Sequence, residues 1–200
     1  MPAALQQEIQ LFMSDLRIIS GEGRGRYLKT YDDPSVRPIL ARIKKSLFDI
    51  LKIKLADSRF LDLFAGTGAV GIEALSRGAG KSVFVDSSRR NTALITDNLK
   101  NLGWLDRAKV NLADITKGLE WLSEPFDLIF MGPPYKDSEK KPLSLTTPVL
   151  ALIVRAKLLA KDGWIVSQHH DKEPVNIPPG LIRFRQEKYG DTILDFYKNA

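Results

Sequence analysis

The sequence predicts an α/β fold of Rossmann-like type, with a seven-stranded, mainly parallel sheet and helices on both faces. Three observations predict it. Beyond Ser58, short apolar runs alternate with helical stretches, which is the sequence form of βα units. One strand-to-helix junction carries Gly66-x-Gly68-x-x-Gly71. The last two runs, Leu181 to Tyr189 and Thr192 to Tyr197, are separated only by Gly190-Asp191. That forces an antiparallel pair, because a parallel crossover takes about a dozen residues or more.

The elements follow in order. Residues 1–15 place Leu5, Ile9 and Phe12 at helical spacing and read as an N-terminal extension or short helix. Residues 16–200 are expected to form a single domain, with 16–55 a basic N-terminal subregion and 56–200 the sheet core. From Leu16 to Leu28 two strand-like runs flank a turn rich in glycine and arginine, predicting a basic β-hairpin. Ile39, Leu40, Ile43, Leu47, Ile50 and Leu51 then share one helical face, with Pro38 suited to the first turn and Arg42, Lys44 and Lys45 expected to point away. The five core runs are Phe60 to Ala65, Ser82 to Asp86, Ala108 to Ala113, Phe126 to Met131 and Trp164 to Gln168. Helices are predicted over Ala69 to Arg77, Ser88 to Leu102 and Leu145 to Leu159, with Gly103 as a C-terminal stop.

Bulk properties narrow the function. The chain has 200 residues and no cysteine, which excludes disulfides, thiolate metal sites and a cysteine nucleophile, and suits a reducing cytoplasm. No apolar run approaches the roughly 18 residues of a membrane span, so no membrane partner is expected, and no metal-ligand spacing stands out. The net charge is +6 and is concentrated: Arg17 to Lys54 holds ten Lys or Arg against four Asp or Glu. Such a patch fits a phosphate backbone, although a solvated face would carry the same charge. The candidate RNA-contacting residues are Arg17, Arg24, Arg26, Arg37, Arg42 and Lys45.

At the glycine junction, Gly66 and Gly68 permit a tight turn and a close ligand, while Gly71 permits close helix packing. Charge decides between ligands. Dinucleotides bring a pyrophosphate to this turn, whereas S-adenosylmethionine brings an ammonium and a sulfonium, and Asp62 lies four residues before Gly66. A carboxylate there favours the cationic methyl donor. Phe64, Ala65 and Thr67 complete the loop. Asp86, followed by Ser87, closes the second strand where a carboxylate can accept ribose hydroxyls, and Asp114, followed by Ile115, ends the third, either meeting an adenine amino group or capping the next turn.

After the fourth strand comes Met131-Gly132-Pro133-Pro134-Tyr135. The two prolines stiffen a turn that can aim carbonyl oxygens at one spot, and Tyr135 can stack on a flipped base or simply pack. His169 and His170 would face opposite sides of an extended strand, so joint metal binding is not expected.

With Leu16-Arg-Ile-Ile-Ser-Gly-Glu-Gly-Arg-Gly-Arg26, Val36-Arg-Pro38, Asp62-Leu-Phe-Ala-Gly-Thr-Gly-Ala-Val-Gly71, Pro133-Pro-Tyr135 and Tyr189-Gly-Asp-Thr192, the chain resembles the RsmD-like family of small-subunit rRNA guanine-N2 methyltransferases from about Leu16 to Tyr197. The resemblance implies the class I methyltransferase fold with an antiparallel last strand. It implies S-adenosylmethionine over Gly66 to Gly68, with Asp86 and Asp114 on ribose and adenine, and methyl transfer to guanine N2 in 16S rRNA, naked or in an assembling small subunit. Two positions depart from the family pattern. Gly132 stands where Asp or Asn usually precedes Pro-Pro-Tyr, and Ile39 stands where threonine is common. Two rivals remain open: an RNA-binding or assembly homologue weakened in catalysis by Gly132, and an NAD-dependent oxidoreductase using the same glycine turn.

Overall fold

A computed structural model describes residues 16–30, 39–137 and 139–200. The predicted N-terminal extension or helix (1–15), Arg37 and Pro38 lie outside the described residues. Helix α1 (Ala41–Leu51) leads into β1 (Arg59–Leu63), α2 (Ala69–Ser76), β2 (Lys81–Asp86), α3 (Arg89–Leu102), β3 (Ala108–Leu112), β4 (Phe126–Met131), α4 (Thr146–Arg155), β5 (Leu159–His170), β6 (Leu181–Tyr189) and β7 (Thr192–Asn199). They build one seven-stranded sheet in the order β3-β2-β1-β4-β5-β7-β6. Strands β1 to β5 pair in parallel, and β7 runs antiparallel between β5 and β6. The order reverses at β1, which opens a crevice beyond the carboxyl ends of β1 and β4.

Alternation along the strands sorts the core into two faces. On one face α1 lays Ile43, Leu47 and Phe48 against Phe60, Leu128, Phe130 and Val166, while α2 and α3 bring Ile72, Leu75, Ile95 and Leu99 onto Phe84. On the other, Val149, Leu150 and Ile153 of α4 cover Leu61, Leu63, Ile129, Met131 and Ile165. Each such side chain contributes about 1.5–3 kcal/mol on burial. All eight residues of α2 are buried. That close seat requires Gly71, since a Cβ there would lie 2.3 Å from the Phe84 ring. Helix α3 begins under a Ser88 cap, whose hydroxyl accepts from the Asn91 N–H, and ends at Gly103 in the left-handed region. There the Trp104 N–H reaches Leu99 O at 3.0 Å and the Gly103 N–H reaches Lys100 O at 3.1 Å. This is a Schellman stop of the kind a glycine after the last apolar position signals.

Three expectations need correction. The predicted basic hairpin is an irregular one: the Ile18 N–H donates to Arg26 O at 3.0 Å, the Gly25 N–H to Ile18 O at 2.9 Å and the Leu28 N–H to Leu16 O at 2.8 Å, with a single bridge between Arg17 and Tyr27 in place of two full strands. Its tip turns its backbone to α2: the Glu22 N–H donates to Ser76 O at 2.8 Å and the Gly23 N–H to Ser76 Oγ at 3.0 Å. Gly21, at φ 86°, leaves no space for a Cβ, which would fall 1.7 Å from Ser76 O. Secondly, Lys44 does not face solvent. It is buried, donating to Arg17 O at 2.9 Å and pairing with Glu73 Oε2 at 3.1 Å. Lastly, α4 stops at Arg155, four residues short of the predicted Leu159: residues 156–158 turn, and Leu159 opens β5.

Candidate active site

Strand β1 ends in backbone that only a tight turn explains. Phe64 adopts φ 61°, left-handed for a residue with a side chain, and Gly66 and Gly68 follow at 55° and 77°. The Gly68 N–H closes the turn onto Ala65 O at 2.7 Å. Two carboxylates then pin it from opposite sides. Asp86 Oδ2 accepts the Gly66 N–H at 2.8 Å, and Asp62 Oδ2 accepts the Gly71 N–H at 2.8 Å. Asp86 Oδ1 also takes the Ser88 N–H at 2.8 Å and the Asn91 side-chain amide at 3.0 Å.

Asp62 is 1% exposed. Burial pushes its carboxyl up to about 8; the nearby Asp86 charge adds to the rise, and the Gly71 N–H opposes it. Asp62 therefore keeps its proton at neutral pH, which refines the expectation of a standing negative charge. A cation arriving beside it would draw the proton off.

Beyond this loop lies a cleft lined by Ile39, Asp62, Phe64, Ala65, Gly66, Thr67, Ala69, Val70, Phe130, Gly132 and Gln168. Six of the residues predicted from sequence meet here: Asp62, Phe64, Ala65, Gly66, Thr67 and Gly132. Asp86 acts on the cleft through Gly66, and Gly68 heads α2. Exposed Ser87 follows Asp86. Half-exposed Asp114 caps a 3-10 turn, Oδ1 accepting from Thr116 N at 3.0 Å and Oγ1 at 2.7 Å, which holds its carboxyl below the usual range; Ile115 behind it is buried.

The turn after β4 continues the sheet, for the Gly132 N–H donates to Leu63 O at 3.4 Å. Gly132 does not sit at positive φ, and a Cβ there would meet only the Phe130 ring, at 3.2 Å. Pro133 is buried and Pro134 exposed. Tyr135 is half-buried: its ring stands edge-on to His170 at 5.7 Å, and its hydroxyl accepts from Gln168 Nε2 at 3.3 Å. His169, on the opposite side of β5, contacts Asp195 at 3.1 Å, so the two histidines do point apart.

Sequence reading missed Gln168 as a site residue. Its signal was a lone amide ending an otherwise apolar run, but placing it opposite Gly132 needed the β4–β5 register, in which Met131 pairs with Ser167. It also missed Glu73, fully buried, which gathers the Ile19 and Ser20 N–H groups, Lys44 and Arg77. An amphipathic α1 hid that pair, because a buried lysine looks like any surface lysine until its partner is known.

The basic residues divide. Arg17, Arg24, Arg42 and Lys45 are exposed; Arg17 lies over the Tyr27 ring and Lys45 pairs with Asp49 at 2.7 Å. Arg26 is committed to the C-terminal carbonyls of α3, those of Asn101 and Leu102. Among the described residues no group of three or more acidic or histidine side chains could hold a metal, and no helix is long and apolar enough to cross a membrane.

Residues 16–198 match the family described as Conserved hypothetical protein 95. The chain is 38% identical over 189 residues to YlbH of Bacillus subtilis (strain 168), a candidate rRNA methyltransferase, covering 92% of this chain and 98% of the relative. It is 35% identical over 153 residues to ribosomal RNA small subunit methyltransferase D of Escherichia coli (strain K12), covering 76% and 71%. The solved structure of the candidate methyltransferase YhhF of Escherichia coli superimposes with a TM-score of 0.77 at 26% identity, covering 92% and 98%. The sheet and its helices are thus a Rossmann-like class I methyltransferase fold.

Proposed function

The chain belongs to the RsmD-like family described as Conserved hypothetical protein 95, and from that membership we propose that it transfers a methyl group from S-adenosylmethionine to the exocyclic N2 of a guanine in small-subunit rRNA, in the cytoplasm. One observation carries the reading: a buried acid beside a glycine turn on β1 and Gly132, which opens the stiff Gly-Pro-Pro-Tyr turn after the neighbouring β4, line a single cleft. The donor set suits a cationic methyl donor. Asp62 gives one oxygen to Gly71 and lines the cleft where an ammonium would bind, Asp86 ends β2 for the ribose, and Asp114 follows β3 by two residues for the adenine.

When bound, S-adenosylmethionine supplies an activated methyl: the carbon–nitrogen bond forms as the carbon–sulfur bond breaks, the electron pair stays on sulfur, and the surplus proton on nitrogen passes to water. The protein's part is alignment, which alone can supply several kcal/mol. The glycine turn fixes one partner. The Pro133-Pro134 turn and the half-buried Tyr135 hold the base, whose face the ring can stack on once it is flipped out. Exposed Arg17, Arg24, Arg42 and Lys45 offer the phosphate backbone a basic surface.

The test is single-turnover methylation of small-subunit RNA, both naked and in assembling particles, followed by mapping of the labelled nucleotide. A label on guanine N2 is the expected result. Methylation elsewhere overturns the N2 assignment, and transfer no faster than an enzyme-free control overturns the activity.

A further inference from the structure

We propose that the side-chain carbonyl of Gln168 accepts a hydrogen bond from the target amine and so holds it in line for the methyl group. The inference rests on the amine-methylation reading above and adds a residue to it. An amine nitrogen that attacks a methyl carbon becomes positively charged, and an acceptor on one of its N–H groups both orients the lone pair and disperses that charge. Gly132 brings no side chain to this task. The acceptor must come from backbone or from a neighbour.

Gln168 is that neighbour. It lines the same cleft as Gly132 and Asp62. The register of β4 with β5, continued one residue past Met131 and Ser167, sets Gln168 beside Gly132. Strands stand about 4.8 Å apart, so β1, β4 and β5 put the glycine turn and Gln168 roughly 10 Å from each other, room for a methyl donor on one side and a base on the other. The amide is also half committed. Nε2 donates to the Tyr135 hydroxyl at 3.3 Å, which fixes the side chain against the ring proposed to hold the base. Oε1 is enclosed and has no hydrogen-bond partner.

A buried acceptor left open in this way costs about 1–3 kcal/mol. A sealed apolar side chain of the same shape would avoid that cost. The open oxygen is accounted for if a donor arrives with the substrate, and the terminal torsion of glutamine is soft enough to turn toward it. The amide oxygen is too weak a base to take the proton, so its part is orientation and charge dispersal only.

The experiment compares single-turnover transfer on small-subunit RNA for the wild type, Gln168→Met, Gln168→Glu and Gln168→Met combined with Gly132→Asp, with S-adenosylmethionine affinity measured by calorimetry for each. Gln168→Met keeps the length and removes the acceptor. We expect it to slow transfer on the order of a hundredfold with cofactor affinity unchanged. Gln168→Glu should stay within severalfold of wild type, and Gly132→Asp should restore most of the rate by returning an acceptor from the adjacent strand. Gln168→Met at wild-type rate overturns the proposal, as does a loss of cofactor affinity that parallels the loss of rate, which would mark a structural role. A wild type that transfers nothing removes the amine-methylation reading itself, a result separable from either of these.

Discussion

Two buried acids organise this molecule, and they differ in where their countercharge comes from. Glu73, on α2, accepts the Ile19 and Ser20 N–H groups at 2.8 and 3.0 Å, and two cations of the protein itself, Lys44 at 3.1 Å and Arg77 at 2.6 Å, close around it. Asp62, on β1, also accepts a backbone N–H, that of Gly71, yet among the described residues no cation pairs with it and burial pushes its carboxyl up to about 8. The same chemistry is structural where the protein completes it and receptive where it does not. Glu73 ties the basic segment 16–28 to the core; Asp62 keeps a vacancy for charge beside the glycine turn.

The comparison can be broken most forcefully at Glu73. Glu73→Gln leaves Lys44 buried beside a neutral amide and should cost about 3–5 kcal/mol, the usual penalty for stripping one partner from a buried pair. Chemical denaturation measures it. At Asp62, by contrast, Asn closely copies the protonated acid, so Asp62→Asn should change stability by less than about 1 kcal/mol at pH 7 while weakening S-adenosylmethionine binding roughly tenfold or more. If the two substitutions cost equal stability, the distinction fails.

A pH series sharpens it. A carboxyl raised to about 8 is neutral below that pH, so it can attract a cation fully only above it. The ratio of wild-type to Asp62→Asn affinity, in which the ligand's own amino titration cancels, should climb from pH 6 to 8 and level off beyond. A ratio that is flat across this range would place the ionised carboxylate in the empty site. The smallest effects belong to the surface. Arg24→Ala should weaken RNA binding only severalfold and make it less salt-dependent. Arg26→Ala, which frees the end of α3, should lower thermal stability by a few degrees. Equal effects of the two on both readouts would dissolve the division between exposed and committed arginines.

Much of this was legible in the sequence because it is local. The glycine turn, the helix stop at Gly103 and the antiparallel pair around Gly190 all follow from backbone conformations that few residues tolerate, and Gly66, Gly68, Gly103 and Gly190 do adopt positive φ. The Gly-Pro-Pro-Tyr turn was visible for the same reason. What escaped is what depends on contacts far apart in the chain. Lys44 meets Glu73 only because α1 crosses α2, and Gln168 meets Gly132 and Tyr135 only through the sheet register. The segment 16–28 carried the glycine and arginine pattern of a hairpin and its arms do bond to each other, but its tip spends the Glu22 and Gly23 N–H groups on Ser76. Periodicity does not record which surface wins those bonds.

Strand β7 has a consequence for assembly of the chain. It lies inside the sheet, with β5 on one side and β6 on the other, and carries Asp195, onto which His169, Arg183, Gln186 and Tyr197 converge. Strands β1 to β5 pair among themselves without it, but β6 has no neighbour in the sheet until residues 192–199 form β7. The pairing of β7 with β5 closes a loop of about two dozen residues, from His170 to Thr192, a cost that grows only slowly with loop length. The cleft residues sit on β1, β4 and β5, so the distal hairpin completes the edge of the sheet and not the cleft itself.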